Sequence, residues 1–131
     1  MEDLFKIEII SPEKIIFSDD VKMVTLPSYE GDMSLLKHHI SIITFLRPGI
    51  IKVQKKEGNT NDFFAQDGTV EYFNDNLIVL SASVMNIKDL SKEFVDNLNK
   101  DTQEKLADKN ITDHDRYILN HKLNALKEVR I

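Results

Sequence analysis

The sequence predicts an N-terminal antiparallel β-sandwich of about ten short strands over residues 1–86, then a C-terminal antiparallel hairpin of two helices over residues 87–131. Three observations carry that division. Up to residue 86, short apolar runs alternate with turn residues at a spacing of roughly 8–12 positions, the texture of a sandwich or flattened barrel. Beyond it the apolar residues recur at helical spacing. Charge changes at the same place. Residues 1–87 hold 8 basic and 13 acidic side chains, residues 88–131 hold 9 of each, and the whole net charge of -5 therefore lies in the first part.

Leu4 to Ile10 is a half-buried strand, with Phe5, Ile7 and Ile9 on one face and Lys6 and Glu8 on the other. Ser11-Pro12-Glu13 turns the chain into a short β piece, Lys14 to Ser18, which Asp19-Asp20 should end. Val21 to Leu26 leads into the block around which the first part is organised, Val24 to His39. There a strand turns through Glu30-Gly31-Asp32 and returns through Leu35-Leu36 to His38-His39, with Pro27 and Gly31 as its punctuation. Ile40 to Leu46 and Ile50 to Val53 flank the turn Arg47-Pro48-Gly49, and Gly58-Asn59 marks a hairpin tip. Three more strands follow, Asp62 to Gln66, Thr69 to Phe73 and Leu77 to Leu80, joined at Asp67-Gly68 and Asn74-Asp75-Asn76.

At Asn86 the period changes. Asn86 is the expected cap of a first helix, with Asp89 favourably placed in its first turn. Leu90, Phe94, Leu98 and Leu106, with Val95 beside them, form one apolar stripe that ends near Ala107. After the link Lys109-Asn110-Ile111, Thr112 to Asp115 has capping-box form with Asp in place of Glu and opens a second helix. Its stripe is Leu119, Leu123 and Leu126, with Ile118 and Val129. Stripes this narrow leave two readings open: a hairpin packed permanently on the sandwich, or an arm that undocks from it.

Composition excludes several classes of function. The acidic surplus repels phosphate backbones, and no basic cluster interleaved with aromatics offsets it, so nucleic acid is not an expected partner. There is no cysteine, hence no disulfide framework and no thiolate metal site. No apolar run reaches the length of a membrane span, so direct membrane insertion is not expected. Nor does the N-terminus have the form of a secretory signal.

Catalytic chemistry finds no footing either. His38 and His39 are adjacent, so a regular strand would point them to opposite faces; His114 and His121 lie seven apart on a helix, and no metal is expected. The serines fit no nucleophile motif, and the four glycines are isolated turn residues rather than a phosphate loop. Glu30 and Asp32 read as an exposed acidic tip, or as a contact for a basic or amide-rich partner. No enzyme is expected.

Taken in order, Ser11-Pro12-Glu13, Leu26 to Asp32, His39, Leu46 to Gly49, Asp67 to Glu71 and Val79-Leu80 resemble the epsilon-subunit family of bacterial F-type ATP synthases over the whole chain. The resemblance implies a ten-stranded β-sandwich followed by two helices, and a non-catalytic place in the rotating central stalk. It implies that the sandwich binds the gamma subunit and rests on the membrane ring of c subunits, coupling proton flow to ATP synthesis. The chain would then be peripheral, on the cytoplasmic face of the bacterial inner membrane. Carried over onto the matching turn, Tyr29, Glu30, Gly31 and Asp32 face the c-ring, and His39 is a structural or interface residue. In the same family the hairpin can extend toward the alpha and beta subunits and inhibit ATP hydrolysis, which makes Arg116, Lys122, Lys127 and Arg130 the expected contacts with beta.

An ATP motif known in some members is matched only at Asp113 and Arg116. Thr112 stands at its aliphatic position and Tyr117, a bulky ring, at its alanine, so no cofactor is expected. Other departures, Ser34, Lys37, Ser41 and Asp67, replace the family's usual glycine or proline and bear on loop shape. Two other classes compete with the stalk subunit. One is a sandwich adaptor binding another protein through its hairpin; the other is a small-ligand module, which would need polar residues converging in a pocket.

Overall fold

The computed structural model describes residues 3–129. Strand β1 (Phe5–Ile10) buries Phe5, Ile7 and Ile9 as its alternation predicts. It pairs antiparallel with β2 (Ile15–Ser28), Phe5 lying opposite Val21. On its other side it pairs parallel with β8 (Asn76–Leu80), Ile9 lying opposite Val79. That parallel pair corrects the expectation of a wholly antiparallel sandwich. Alternation reports which face is buried and is blind to strand direction.

β2 runs unbroken for 14 residues, through the Asp19-Asp20 pair that should have ended it. Lys6 and Ile7 of β1 pair with Asp20 and Asp19, and Ser18, Asp19 and Asp20 are all exposed. Along this half β2 has β1 on one side only, since its pairing with β5 (Gly49–Lys55) begins at Val21. Carboxylates on such an edge cost no burial and discourage pairing with another chain. Two expected strands thus merge, and nine strands are formed among the described residues instead of about ten.

The second half of β2 pairs with β5 and with β3 (Gly31–Leu35). β6 (Thr60–Ala65) and the short β9 (Met85–Asn86) extend that layer. In the facing layer β8 pairs with β7 (Gly68–Phe73), and β7 with β4 (Ile42–Leu46). β2 belongs to both layers. The core between them gathers Ile7, Leu26, Ile51, Phe63, Tyr72 and Val79, and none of its buried members lies beyond Val84.

The helical part starts later than expected. The Asn86 side chain does accept a backbone N–H, from Lys88 at 3.0 Å, but it caps only a single 3-10 turn, Ile87–Asp89. Leu90 then returns to extended backbone and is buried. Helix α1 (Lys92–Leu106) begins after Ser91, whose Oγ accepts from the Phe94 N–H at 3.0 Å. Burying Leu90 fixes the chain there, so the helix needs a fresh cap one residue on. Helix α2 (Asp113–Glu128) opens as predicted, with Thr112 Oγ1 accepting from Asp115 N–H at 3.0 Å.

Within the α1 stripe the skipped position, Thr102, is the one buried residue of the helix; its Oγ1 donates to the Leu98 carbonyl at 2.7 Å. In α2 the buried residues are Leu119, Ala125 and Leu126, while Leu123 is half-buried. Ile50 and Phe64 of the sandwich join Leu90, Ala125, Leu126 and Val129 in a second apolar cluster, flanked by Met85, Phe94 and Leu98. In this structure the hairpin is therefore docked, on a seam separate from the sandwich core.

Candidate functional site

The acidic turn is built by backbone first. Gly31 has φ 123°, which L side chains rarely adopt, so glycine closes the turn between β2 and β3. The buried Ser28 hydroxyl donates to the Gly31 carbonyl at 2.6 Å, and the Tyr29 N–H donates to the Phe45 carbonyl at 3.1 Å. Glu30 is exposed, as expected of an acidic tip.

Tyr29 and Asp32 are not simply presented to solvent. The Tyr29 ring stacks on Tyr117 of α2 at 5.9 Å and on His114 at 6.2 Å between centroids. Its carbonyl accepts from the Tyr117 hydroxyl at 2.9 Å. Asp32, 70% exposed, is held by Arg47 Nη2 at 3.3 Å, and Arg47 Nη1 donates to the Tyr117 hydroxyl at 3.5 Å. His121 packs edge-on against Tyr117 at 4.4 Å. Arg47 Nε is buried and has no partner among the described residues.

Sequence reasoning missed Arg47, Tyr117, His114 and His121 as members of this site. A signal was present: His114, Tyr117 and His121 are spaced three and four apart, so they share one face of α2.

His39 packs edge-on against Tyr72 at 5.7 Å, and its Nδ1 lies 2.7 Å from the Ile40 carbonyl. His38, with φ 68°, donates its N–H to Asp75 Oδ1 at 2.7 Å and brings Nδ1 within 3.5 Å of Oδ2. The Tyr72 hydroxyl lies 2.9 Å from Asp75 Oδ1 and 3.1 Å from the Leu36 carbonyl. Burial, and then the Asp75 carboxylate, push the Tyr72 phenol up to about 12. The His38 N–H, with the Tyr72 hydroxyl beside it, holds Asp75 below the usual carboxylate value.

A raised phenol favours the protonated form in the folded chain. Its contribution is complete below pH 10 and is lost as pH rises from 10 to 12. Tyr72→Phe should lower stability at neutral pH by about 1–2 kcal/mol and flatten the alkaline loss, both read from urea midpoints across that range.

Of the residues expected to meet beta, Arg116 and Lys127 are exposed. Lys122 is instead half-buried, and its pKa is lowered by burial and then by Lys105, against the pull of Asp101. Arg130 lies outside the described residues. Asp113 and Arg116 are both exposed in the first turn of α2, where the Arg116 N–H donates to the Thr112 carbonyl at 3.0 Å. The Tyr117 ring at the mismatched alanine position is the one lying on Tyr29. Among the described residues no three His, Asp or Glu side chains gather as metal ligands.

The outer face of the β4–β7–β8 layer is open and largely apolar, with exposed Glu71 set between Ile43 and Ile78. Ile43, Phe45 and Phe73 are 69%, 59% and 62% exposed, and Leu80 is 50% exposed. Register aligns Phe45, Thr69 and Leu80 across the three strands. A cleft lined by Pro12, Tyr29, Phe45 and Leu80 continues this face to the acidic turn.

Residues 4–87 match the family described as ATP synthase, Delta/Epsilon chain, beta-sandwich domain. The chain is 45% identical to the ATP synthase epsilon chain of Pelagibacter ubique, over 97% of its own length and 98% of that protein's. With the epsilon chain of Parvibaculum lavamentivorans it shares 33% identity, over 99% and 98% of the two chains. Its fold is similar to a chain of the Euglena gracilis mitochondrial ATP synthase OSCP/F1/c-ring structure, at TM-score 0.78 and 15% identity over 98% of this chain and 82% of that one. A chain of the Tetrahymena thermophila mitochondrial ATP synthase central stalk and c-ring structure is also similar, at TM-score 0.61 and 12% identity over 97% and 96%. With sequence identity along the whole chain and the sandwich-plus-hairpin fold in agreement, the chain belongs to the epsilon-chain family of ATP synthases.

Proposed function

We propose that the chain is a non-catalytic central-stalk subunit of an F1Fo ATP synthase, binding gamma and the c-ring and coupling proton flow to ATP synthesis. The observation that carries this reading is the open apolar face of β4, β7 and β8. Isolated soluble chains rarely leave Ile43, Phe45, Phe73 and Leu80 uncovered on one surface, and a permanent partner would cover them. Similarity to ATP synthase epsilon chains supports gamma as the proposed partner for that face. Tyr29, Glu30, Gly31 and Asp32, at the end of the adjoining cleft, are the proposed contact with the c-ring.

The division at residue 86 fits two roles, since the sandwich core is complete by Val84. The hairpin is the proposed brake on ATP hydrolysis when it leaves its seam and meets alpha and beta. Arg116 and Lys127 are open to beta in the docked form, whereas Lys122 becomes fully available only on undocking. No nucleotide is assigned to the hairpin, because Tyr117 carries a ring where the motif has a methyl group. The location proposed is peripheral, at the cytoplasmic face of the membrane; no helix among the described residues is long and apolar enough to cross one.

The test is binding to gamma from the same organism, by calorimetry or co-elution. The expected result is a one-to-one complex that Phe45→Asp abolishes while the variant keeps its fold by circular dichroism. A folded chain that ignores folded gamma would leave the adaptor reading in its place.

A further inference from the structure

We propose that the contact of Tyr29, Arg47 and Asp32 on the sandwich with Tyr117 and His121 on α2 is a proton-sensitive latch: neutral His121 lets the hairpin dock, and protonated His121 releases it. The inference concerns the isolated chain and does not depend on its place in a larger complex.

His121 sits where the two parts meet. Its ring packs edge-on against Tyr117 at 4.4 Å, and Tyr117 in turn holds the Tyr29 carbonyl at 2.9 Å. With Asn124 and Glu128 of its own helix it lines a polar cleft whose other wall carries Asp32, Arg47 and Lys52. Each charge facing it is accounted for. Arg47 is a permanent cation, mostly buried, and its one carboxylate partner among the described residues, Asp32, is mostly exposed. Lys52 lies 3.7 Å from Glu128. Asp62, opposite Lys52 in the β5–β6 ladder, has its pKa raised by burial and by Glu128 against the pull of Lys52. Asp101 and Lys105 of α1 act instead on Lys122. His114, the other histidine of α2, lies over Tyr29.

A proton on His121 would place a second cation beside Arg47, in a cleft whose lining carboxylates, Asp32 and Glu128, already face Arg47 and Lys52. Burial, and then the Arg47 charge, hold its pKa below the usual histidine value of 6.5, with Asp32 pulling the other way. The docked chain therefore binds fewer protons than the undocked one. Docking is at full strength above pH 6.5 and weakens as pH falls below 6.5 and through the docked-state value. One proton sets the limit, about a factor of ten in the docking equilibrium per pH unit. Besides this contact, the described residues hold the hairpin through one small apolar cluster, centred on Phe64, Leu90 and Leu126, and the exposed Lys52–Glu128 pair, so a change of that size is enough to shift its population.

The chain has no native cysteine, so two can be introduced for a donor and an acceptor dye, at the exposed positions Glu57→Cys on the sandwich and Asn120→Cys on α2. Energy transfer should be constant above neutral pH and fall on acidification, with a midpoint matching the titration of the His121 ring followed by NMR in the same chain. His121→Phe, which keeps a ring against Tyr117 without the charge, should stay docked and lose the pH response; His114→Phe should retain it. Transfer that does not change with pH overturns the latch. So does a fall whose midpoint departs from the His121 titration, or an unchanged fall in His121→Phe. The gamma-binding test is unaffected by any of these outcomes.

Discussion

Leu126→Asp should undock the hairpin and leave the sandwich folded. Leu126 is 3% exposed in the cluster that joins the helices to Ile50 and Phe64. Losing its packing costs about 2–5 kcal/mol by analogy with large-to-small core changes, and an unpaired carboxylate in the same place adds a desolvation cost. The seam has few other anchors, so the hairpin leaves it. The sandwich loses only the cover over Ile50 and Phe64, because its own core has no member from the helices. Proton NMR should show the methyl resonances of the sandwich core kept and the ring resonances of Phe64, at the seam, moved. In the assembled complex the proposed brake gives two variants opposite signs: Leu126→Asp should lower ATP hydrolysis, and removal of residues 87–131 should raise it. Equal rates in both, with normal assembly, would end the case for a brake.

Gly49→Ala should destabilise the sandwich strongly for a change of one methyl group. A Cβ at Gly49 would stand 2.4 Å from Pro27 Cβ and 2.8 Å from Pro27 Cγ, well inside contact distance. The proline ring cannot swing aside like a flexible side-chain end. Relief must come from separating β5 from β2 near the acidic turn, where the Pro27 carbonyl also accepts from the Arg47 N–H at 3.0 Å. Overpacking of this kind costs about 1–3 kcal/mol, which lowers the melting temperature by on the order of 5–10 °C. Adding Pro27→Gly should recover part of the loss, and the double-mutant coupling is the quantity to measure.

Most of the sandwich was legible in the sequence because its turns announce themselves: Arg47-Pro48-Gly49, Asp67-Gly68 and Asn74-Asp75-Asn76 all fall between or at the ends of strands. Asp19-Asp20 misled, since a charged pair breaks an interior strand but suits an edge. The parallel β1–β8 pair was out of reach because its cause is long-range topology. At the helix start two good caps, Asn86 and Ser91, stood five residues apart, and burial of Leu90 decided between them. The four residues of the acidic turn were legible as a group, yet their partners were not. Tyr117 and His121 are ordinary helix residues until a docked geometry brings Arg47 and Tyr29 to them, and no local pattern encodes that meeting.

β2 has a mechanical consequence. The acidic turn hangs from the C-terminal end of the longest strand, whose first half is hydrogen-bonded into one layer and whose second half into the other. A tangential drag on that turn enters the fold along the strand axis. It loads the flanking ladders in shear, many bonds at a time, instead of unzipping them singly. A chain that must carry torque without yielding would gain from such a spine, and a loop at Asp19-Asp20 would have been its weak joint.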